Sequence, residues 1–220
     1  MQISFIFNTF ARELIMKNKP IIVLDFGGVL MSHDRPGCLQ ALRQWMSDDQ
    51  ILNIVGFGNN SHDTMLYRFE TGACSAQEFV EQLLALCPIG TTADEVIKAW
   101  NKMHAGIADD KWHMVERLHA EGYPLYLMSN TDPLHWQNAL RLYPGKMETL
   151  FDELFLSFEL GLFKPDAVFY EQVHRRINGA GKEVFFVDDT ETNRLAAQQS
   201  VGWRTFADLE ELFSAIDGMS

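Results

Sequence analysis

Three shortages in this sequence each remove a class of protein. Cysteine is scarce: Cys38, Cys74 and Cys87 are odd in number and form no CxxC pair. A disulfide framework and a thiolate zinc site are therefore unfavoured, and reduced, small, buried apolar roles are expected. Long apolar runs are missing, since nothing approaches the roughly 20 residues that a membrane helix needs. The eight-residue "ISFIFNTF" near the start has neither a basic flank nor a small-residue cleavage site, so it does not read as a signal peptide. A soluble, cytoplasmic protein is expected. Positive charge is also short, with 18 Lys and Arg against 30 Asp and Glu, a net charge of −12 and no basic cluster. Nucleic acid and anionic membrane are poor partners for such a surface. A phosphorylated small molecule would be repelled at long range, so a phosphate site here needs a cation of its own.

What is present is a chain able to bury a sizeable core. At 220 residues and 47% hydrophobic, it suits a main domain with a modest insertion. Apolar runs of strand length recur: "IIVLD" (21–25), "PLYLMSN" (124–130), "LFLS" (154–157), "VFFVDD" (184–189) and "WRTF" (203–206). Helical patterns separate most of them. In "DAVFYEQVHRRI" the residues Phe169, Val173 and Ile177 recur every four positions, with Asn178 and Gly179 as a stop; in "DKWHMVERLHAEG" Trp112, Val115 and Leu118 form one stripe that Gly122 ends. Continuous apolar strands alternating with helices predict an α/β fold with a parallel sheet covered on both faces.

Nearly a hundred residues lie between the first strand and the second, far more than a crossover helix requires. "SAQEFVEQLLAL" opens with a capping box from Ser75 to Glu78, and "TADEVIKAW" repeats the device with Thr92 and Glu95. A helical cap over residues 33–106 is expected, inserted into an α/β core made of residues 20–32 and 107–220. Residues 1–19 are read as a leader outside the fold, because "MKNKPIIVLDF" from Met16 looks like a normal start before a first strand. No internal repeat or low-complexity linker is evident.

Three of the buried-type strands finish on polar groups: Asp25, then Ser129 and Asn130, then Asp188 and Asp189. In a parallel sheet these ends share one edge, and ligands of open α/β folds bind in the crevice outside the carboxyl ends of the strands. Asp188 and Asp189, with Asp25 nearby, would repel one another in a partly desolvated cleft unless a cation lay between them. Mg²⁺, held by one or two carboxylates, waters and substrate phosphate oxygens, suits such a place. Singly, each residue has a structural explanation. Asp25 can begin a "DFGG" turn, Asp188 and Glu191 can form a capping box, and Lys164 can be a solvated lysine. Asp132 and Pro133 read as an N-cap followed by an N1 proline. Their joint order at strand ends favours chemistry.

That order, "hhhhDxGxV … hhhhSN … KP … hhhDDxxxN", resembles the haloacid dehalogenase (HAD) superfamily in its branch with a helical cap between the first two motifs. The resemblance covers residues 20–208. It implies a doubly wound, Rossmann-like core and Mg²⁺-dependent phosphoryl transfer through an aspartyl-phosphate, acting on a small phosphorylated metabolite. Carried onto these positions, it makes Asp25 the nucleophile. Ser129 and the backbone around Asn130 would hold the substrate phosphate, and Lys164 would neutralise Asp25 and the transferring group. Asp189 with Asp188, completed by Asp25 and the main-chain carbonyl of Gly27, would bind the metal. Asn193 would act behind these ligands.

One position departs from the pattern. In most phosphatases of this family the residue two beyond the nucleophile is a second aspartate, which protonates the leaving oxygen; here it is Gly27. Loss of a general acid or base costs about 10²–10⁴ in rate. Three readings stay open. The sequence is similar to bacterial α-glucose-1-phosphate phosphatases, whose anomeric leaving group is more acidic than an ordinary alcohol, and this favours a sugar phosphatase. A 2-haloacid dehalogenase needs no proton for halide, but such enzymes lack the paired acids. A non-catalytic phosphate-ester binder is the third.

Other signals carry less. "GFGNNS" from Gly56 lacks the third glycine of a dinucleotide fingerprint and reads as a loop. The seven histidines include no HExxH pair. His33 and Asp34 either overhang the cleft or are plain loop residues, and Tyr67, Phe69 and Trp100 are read as core in preference to a sugar platform.

Overall fold

The computed structural model describes residues 19–55 and 64–219. The sequence readings of a leader before residue 19 and of a "GFGNNS" loop fall outside them. The strands are β1 (Ile21–Leu24), β2 (Ser32–His33), β3 (His104–Gly106), β4 (Leu125–Ser129), β5 (Glu153–Leu156), β6 (Val184–Val187) and β7 (Arg204–Phe206). Five of them form one sheet in the order β5-β4-β1-β6-β7, and every pairing is parallel. From β1 the chain builds outward through β4 and β5, then crosses to β6 and β7 on the other side. The direction of winding therefore reverses at β1, where a doubly wound sheet opens a crevice at its carboxyl edge.

Strand periodicity decides which side chain meets which layer. Ile22, Leu24, Leu125, Leu127, Phe185 and Val187 lie in one buried cluster, with helices Asp109–Ala120, Pro133–Leu142 and Leu209–Asp217. The alternate residues Ile21, Val23, Met128, Phe155, Val184 and Phe186 face the opposite cluster, with helices Ala167–Arg176 and Glu191–Val201. A strand buried on both sides has no use for polar residues until it ends. For this reason the apolar runs are unbroken and stop at Asp25, Asn130 and Asp188.

The segment between β1 and β4 packs around a cluster of its own. Cys38, Leu42, Phe69, Phe79, Leu83, Val96 and Trp100 are buried there, and Leu134 reaches into it from helix Pro133–Leu142. Phe69 stacks on Phe79 at 4.1 Å between ring centroids, and Phe79 meets Trp100 edge-on. Each such side chain contributes about 1.5–3 kcal/mol on burial, which gives the segment its own small core. Both capping boxes form, with Ser75 and Glu78 opening helix Ala76–Leu84 and Thr92 and Glu95 opening Ala93–Trp100. The segment is not purely helical. Its two ends pair as an antiparallel ribbon, β2 against β3, with His33 opposite His104.

One local expectation needs correction, and two local alternatives can be compared with the structure. Cys38 and Cys74 are buried, but Cys87 is only partly so, because it sits past the end of its helix. Asp188 and Glu191 form no capping box, since the helix begins at Glu191 with Thr190 as an N-cap that makes no side-chain bond. Asp188 is occupied elsewhere. The Asp34 carboxylate caps helix Arg35–Leu42 by accepting from the Gly37 N–H at 2.8 Å.

Candidate active site

The carboxyl ends of β1, β4 and β6 bring together residues that lie far apart in sequence. Lys164 is the hub. Its ammonium, 2% exposed, donates to Asp188 Oδ2 at 2.7 Å and to the Met128 carbonyl at 3.1 Å, and lies 2.9 Å from Asp25 Oδ1. All three donors of the lysine are thereby engaged. Asn130 holds the lysine in place, since its Oδ1 accepts from the Lys164 N–H and its Nδ2 donates to the Lys164 carbonyl, both at 2.9 Å. The amide side chain of Asn130 is therefore a clamp on the Lys164 backbone. The loop after β4 is pinned a second time by Ser157, whose hydroxyl accepts from the Thr131 N–H and donates to the Thr131 carbonyl. Ser129 is buried, and its hydroxyl makes only a long contact of 3.4 Å with the Asn130 carbonyl.

Asp25 is 7% exposed. Its Oδ1 accepts from the Phe26 N–H at 2.6 Å and faces Lys164, so both contacts fall on one oxygen and Oδ2 is left for a ligand. Burial pushes the Asp25 carboxyl up to about 7, with Lys164 opposing and the Asp188 charge adding to the rise. Burial alone would lower Lys164, yet the charges of Asp188 and Asp25 hold it above its ordinary value. One cation thus serves two carboxylates, and Asp188, fully buried and nearer, takes the larger share. Asp25 is the undercompensated member.

Asp188 is held in place by several protein donors. Besides Lys164, its Oδ1 accepts from the Thr190 N–H at 2.9 Å, and Asn193 Nδ2 bridges both carboxylate oxygens at 3.1 Å. Asp189, in contrast, is exposed, touched by the Thr190 hydroxyl at 3.2 Å. Asp25, Asp188 and Asp189 each present an oxygen within 4.8 Å of the others, the single cluster of three or more potential metal ligands among the described residues. Three carboxylates against one ammonium leave two negative charges uncompensated, which fits a divalent cation coordinated by oxygen.

The two glycines after Asp25 have separate steric reasons. A Cβ on Gly28, at φ +78°, would fall 2.1 Å from Asp189 Oδ2, so only glycine lets the loop approach that carboxylate. A Cβ on Gly27 would fall 2.6 Å from Cε1 and 2.7 Å from Nε2 of His33. Lys111 braces the same loop by donating to the Val29 carbonyl. His33 therefore does overhang the cleft, a reading the sequence left open. The protein around its ring lowers its pKa, with Asp189 opposing. The ring sits at the cleft, in protein on one side, while the residue as a whole keeps contact with solvent.

Residues 20–200 match the description of the haloacid dehalogenase-like hydrolases. This chain belongs to that family. Among HAD relatives, it is 30% identical over 190 residues to D-ribitol-5-phosphate phosphatase of Bacteroides thetaiotaomicron, covering 84% of this chain and 89% of the relative. Identity to the sesquiterpene phosphatase AstK of Aspergillus oryzae is 27% over 178 residues, covering 80% and 83%. Among solved HAD structures, a B. thetaiotaomicron enzyme in complex with magnesium and inorganic phosphate superposes with a TM-score of 0.73 at 25% identity, covering 86% of this chain and 93% of that one. An L-2-haloacid dehalogenase has the same fold at a TM-score of 0.60 and 14% identity, covering 91% and 99%.

A second buried polar group, which sequence reasoning did not connect, joins the inserted segment to the sheet. Asp132, fully buried, caps helix Pro133–Leu142 through the Leu134 and His135 N–H groups, as its Asp-Pro sequence predicts. It also accepts from Trp100 Nε1 at 3.1 Å and lies 2.7 Å from His135 Nδ1. His135 Nε2 meets the Trp100 carbonyl at 3.1 Å, and its ring stacks on His104. The pair ties the inserted helices to the sheet. Tyr67 is half-buried against Phe163, whereas Phe69 and Trp100 are core, as expected.

Proposed function

We propose that this protein is a Mg²⁺-dependent phosphatase that hydrolyses a small phosphorylated metabolite, a sugar or polyol phosphate, through phosphorylation of Asp25. The observation that carries the reading is the meeting of Asp25, Asp188 and Asp189 with the buried Lys164 at the carboxyl edge of the sheet. The phosphatase relatives and the magnesium and phosphate complex of a related enzyme support it.

In this reading the Asp25 carboxylate attacks phosphorus, with the Phe26 N–H and Lys164 fixing its Oδ1. Lys164 offsets charge at the transferring group, and Asn130 fixes where that charge sits. Asp25, Asp188, Asp189 and the Gly27 carbonyl would hold the cation, with Asn193 orienting Asp188 from behind. When bound, Mg²⁺ would favour ionised Asp25 and neutralise phosphate oxygens. Ser129 and the backbone beyond it would receive the phosphate. The segment of residues 33–106 would then carry substrate selection as a cap.

The test is phosphate release from a panel of sugar and polyol phosphates, with and without Mg²⁺, by the wild-type protein and Asp25→Asn. Metal-dependent release abolished by the substitution is expected. Release that survives Asp25→Asn would refute the mechanism, and silence across the panel would favour a phosphate-ester binder. Halide release from a haloacid without metal would select the dehalogenase.

A further inference from the structure

The inserted segment meets the sheet edge through helix Met65–Glu70, whose two faces have different tasks. Phe69 points into the segment's own core, where it stacks on Phe79. Tyr67 points the other way, its ring edge-on to Phe163 at 5.1 Å between centroids, one residue before Lys164. Just past the helix, Gly72 lies so close to the core that a Cβ there would fall 2.2 Å from the Phe158 carbonyl. Phe158 follows Ser157, the residue that pins Thr131 after β4. The helix therefore rests on the chain between Ser157 and Lys164. Glu70 stands three positions beyond Tyr67, so its side chain shares the face turned to the sheet edge.

Glu70 is within reach of the charges of Asp132 and His135 at the start of helix Pro133–Leu142, and the charge of His135 also reaches His33 over Gly27. Glu70 is thus framed by the two loops that carry Asn130 and Lys164. A carboxyl in such a place normally has a hydrogen-bond or ion-pair partner. Among the described residues Glu70 has neither, and the nearby cation, His135, is already held by Asp132 at 2.7 Å. Burial and the Asp132 charge push Glu70 up to about 8, with His135 opposing. Near neutral pH it is mostly an uncharged acid, with one O–H to donate and a carbonyl oxygen to accept. A hydroxyl group needs those same two partners, and an uncharged acid adds no repulsion against a phosphate. A cationic group would face His135, whose charge Asp132 sustains.

We propose that Glu70 is a specificity-determining residue that binds a hydroxyl on the substrate's carbon chain, and so selects sugar or polyol phosphates over esters of plain alcohols. The inference rests on the phosphatase reading above and names the side chain of the inserted segment that does the selecting. No bond is made or broken at Glu70. Its contact is the same before and during phosphoryl transfer, so its contribution falls on KM and not on kcat.

The experiment measures kcat and KM at saturating Mg²⁺ for three esters: the sugar or polyol phosphate turned over best, the alkyl phosphate of equal chain length without the other hydroxyls, and p-nitrophenyl phosphate. Wild type is expected to prefer the hydroxylated ester. Glu70→Ala is expected to raise KM for it by about 10-fold or more and to lose far less on the other two. Glu70→Gln keeps a donor and an acceptor and should retain most of the preference. Because Glu70 makes no bond within the described protein, both variants should melt at or above the wild-type temperature. A preference that survives Glu70→Ala, losses of equal size on all three esters, or a wild type with no preference would overturn the assignment and leave the phosphatase reading intact. A melting temperature lowered in both variants would show a structural role and overturn it too. A wild-type protein silent on every ester would overturn both.

Discussion

Replacing Asp132 with Asn should cost this protein much of its stability although no atom is added or removed in bulk. One oxygen of Asp132 accepts from the Leu134 and His135 N–H groups, and an amide oxygen can keep that role. The other faces the Trp100 indole N–H at 3.1 Å and His135 Nδ1 at 2.7 Å. An amide nitrogen there would point a donor at the Trp100 indole N–H and could not balance a charge on His135, in a place with no solvent exposure. Breaking one side of a buried pair costs about 3–5 kcal/mol, which for a domain of this size lowers the melting temperature by about 6–20 °C.

The pH dependence of that loss has a definite sign. Burial would lower His135, but the charge and hydrogen bond of Asp132, with the Trp100 carbonyl, hold it above 6.5. A raised histidine contributes stability that is full below its unfolded pKa and lost as pH rises through the folded value. Burial would raise Asp132, but His135 and its other donors hold it below 3.8. A depressed carboxylate contributes above its unfolded pKa and loses that contribution as pH falls through the folded value. The difference in stability between wild type and Asp132→Asn should therefore be largest between about pH 3.8 and 6.5 and shrink on either side. Thermal melts followed by circular dichroism across pH measure it directly. Equal melting temperatures, or a difference that grows as pH rises above 7, would refute the reasoning.

Other substitutions test the site. Gly28→Ala places a Cβ against Asp189 in a left-handed conformation, so it should destabilise the protein by about 1 kcal/mol or more and weaken Mg²⁺ binding; denaturant unfolding and calorimetric titration check the two effects. Asn193→Ala removes two of the bonds that orient Asp188 and should weaken Mg²⁺ about 10–100-fold with little change in fold; unchanged affinity in the same titration would remove Asn193 from the site. Asn130→Ala frees the Lys164 backbone and should lower kcat more than it raises KM, and a change confined to KM would contradict the clamp.

The sheet was legible because its strands are buried on both faces: such strands have to be apolar until they end, so their polar last residues mark the functional edge. The capping boxes at Ser75 and Thr92 were legible for a similar reason, since each is a local device whose two partners stand three residues apart. What remained hidden depends on contacts between distant residues. Nothing local told that Asn130 would spend its side chain on the backbone of Lys164, 34 residues on, or that Trp100 would meet Asp132. His33 was ambiguous because its place over Gly27 follows from the turn between residues 26 and 31. The two glycines were a signal of close approach there, but they do not say which side chain approaches.

The proposed phosphorylation of Asp25 is the step from which the other roles follow, and it can be trapped. The protein is quenched in acid during turnover with Mg²⁺ and a phosphate ester, treated with borohydride to reduce any acyl phosphate, and digested for mass analysis. We expect residue 25 to be recovered in part as homoserine, with no such product without substrate or in Asp25→Asn. Turnover during which residue 25 stays wholly aspartate while a phosphoryl group accumulates on another side chain would contradict it.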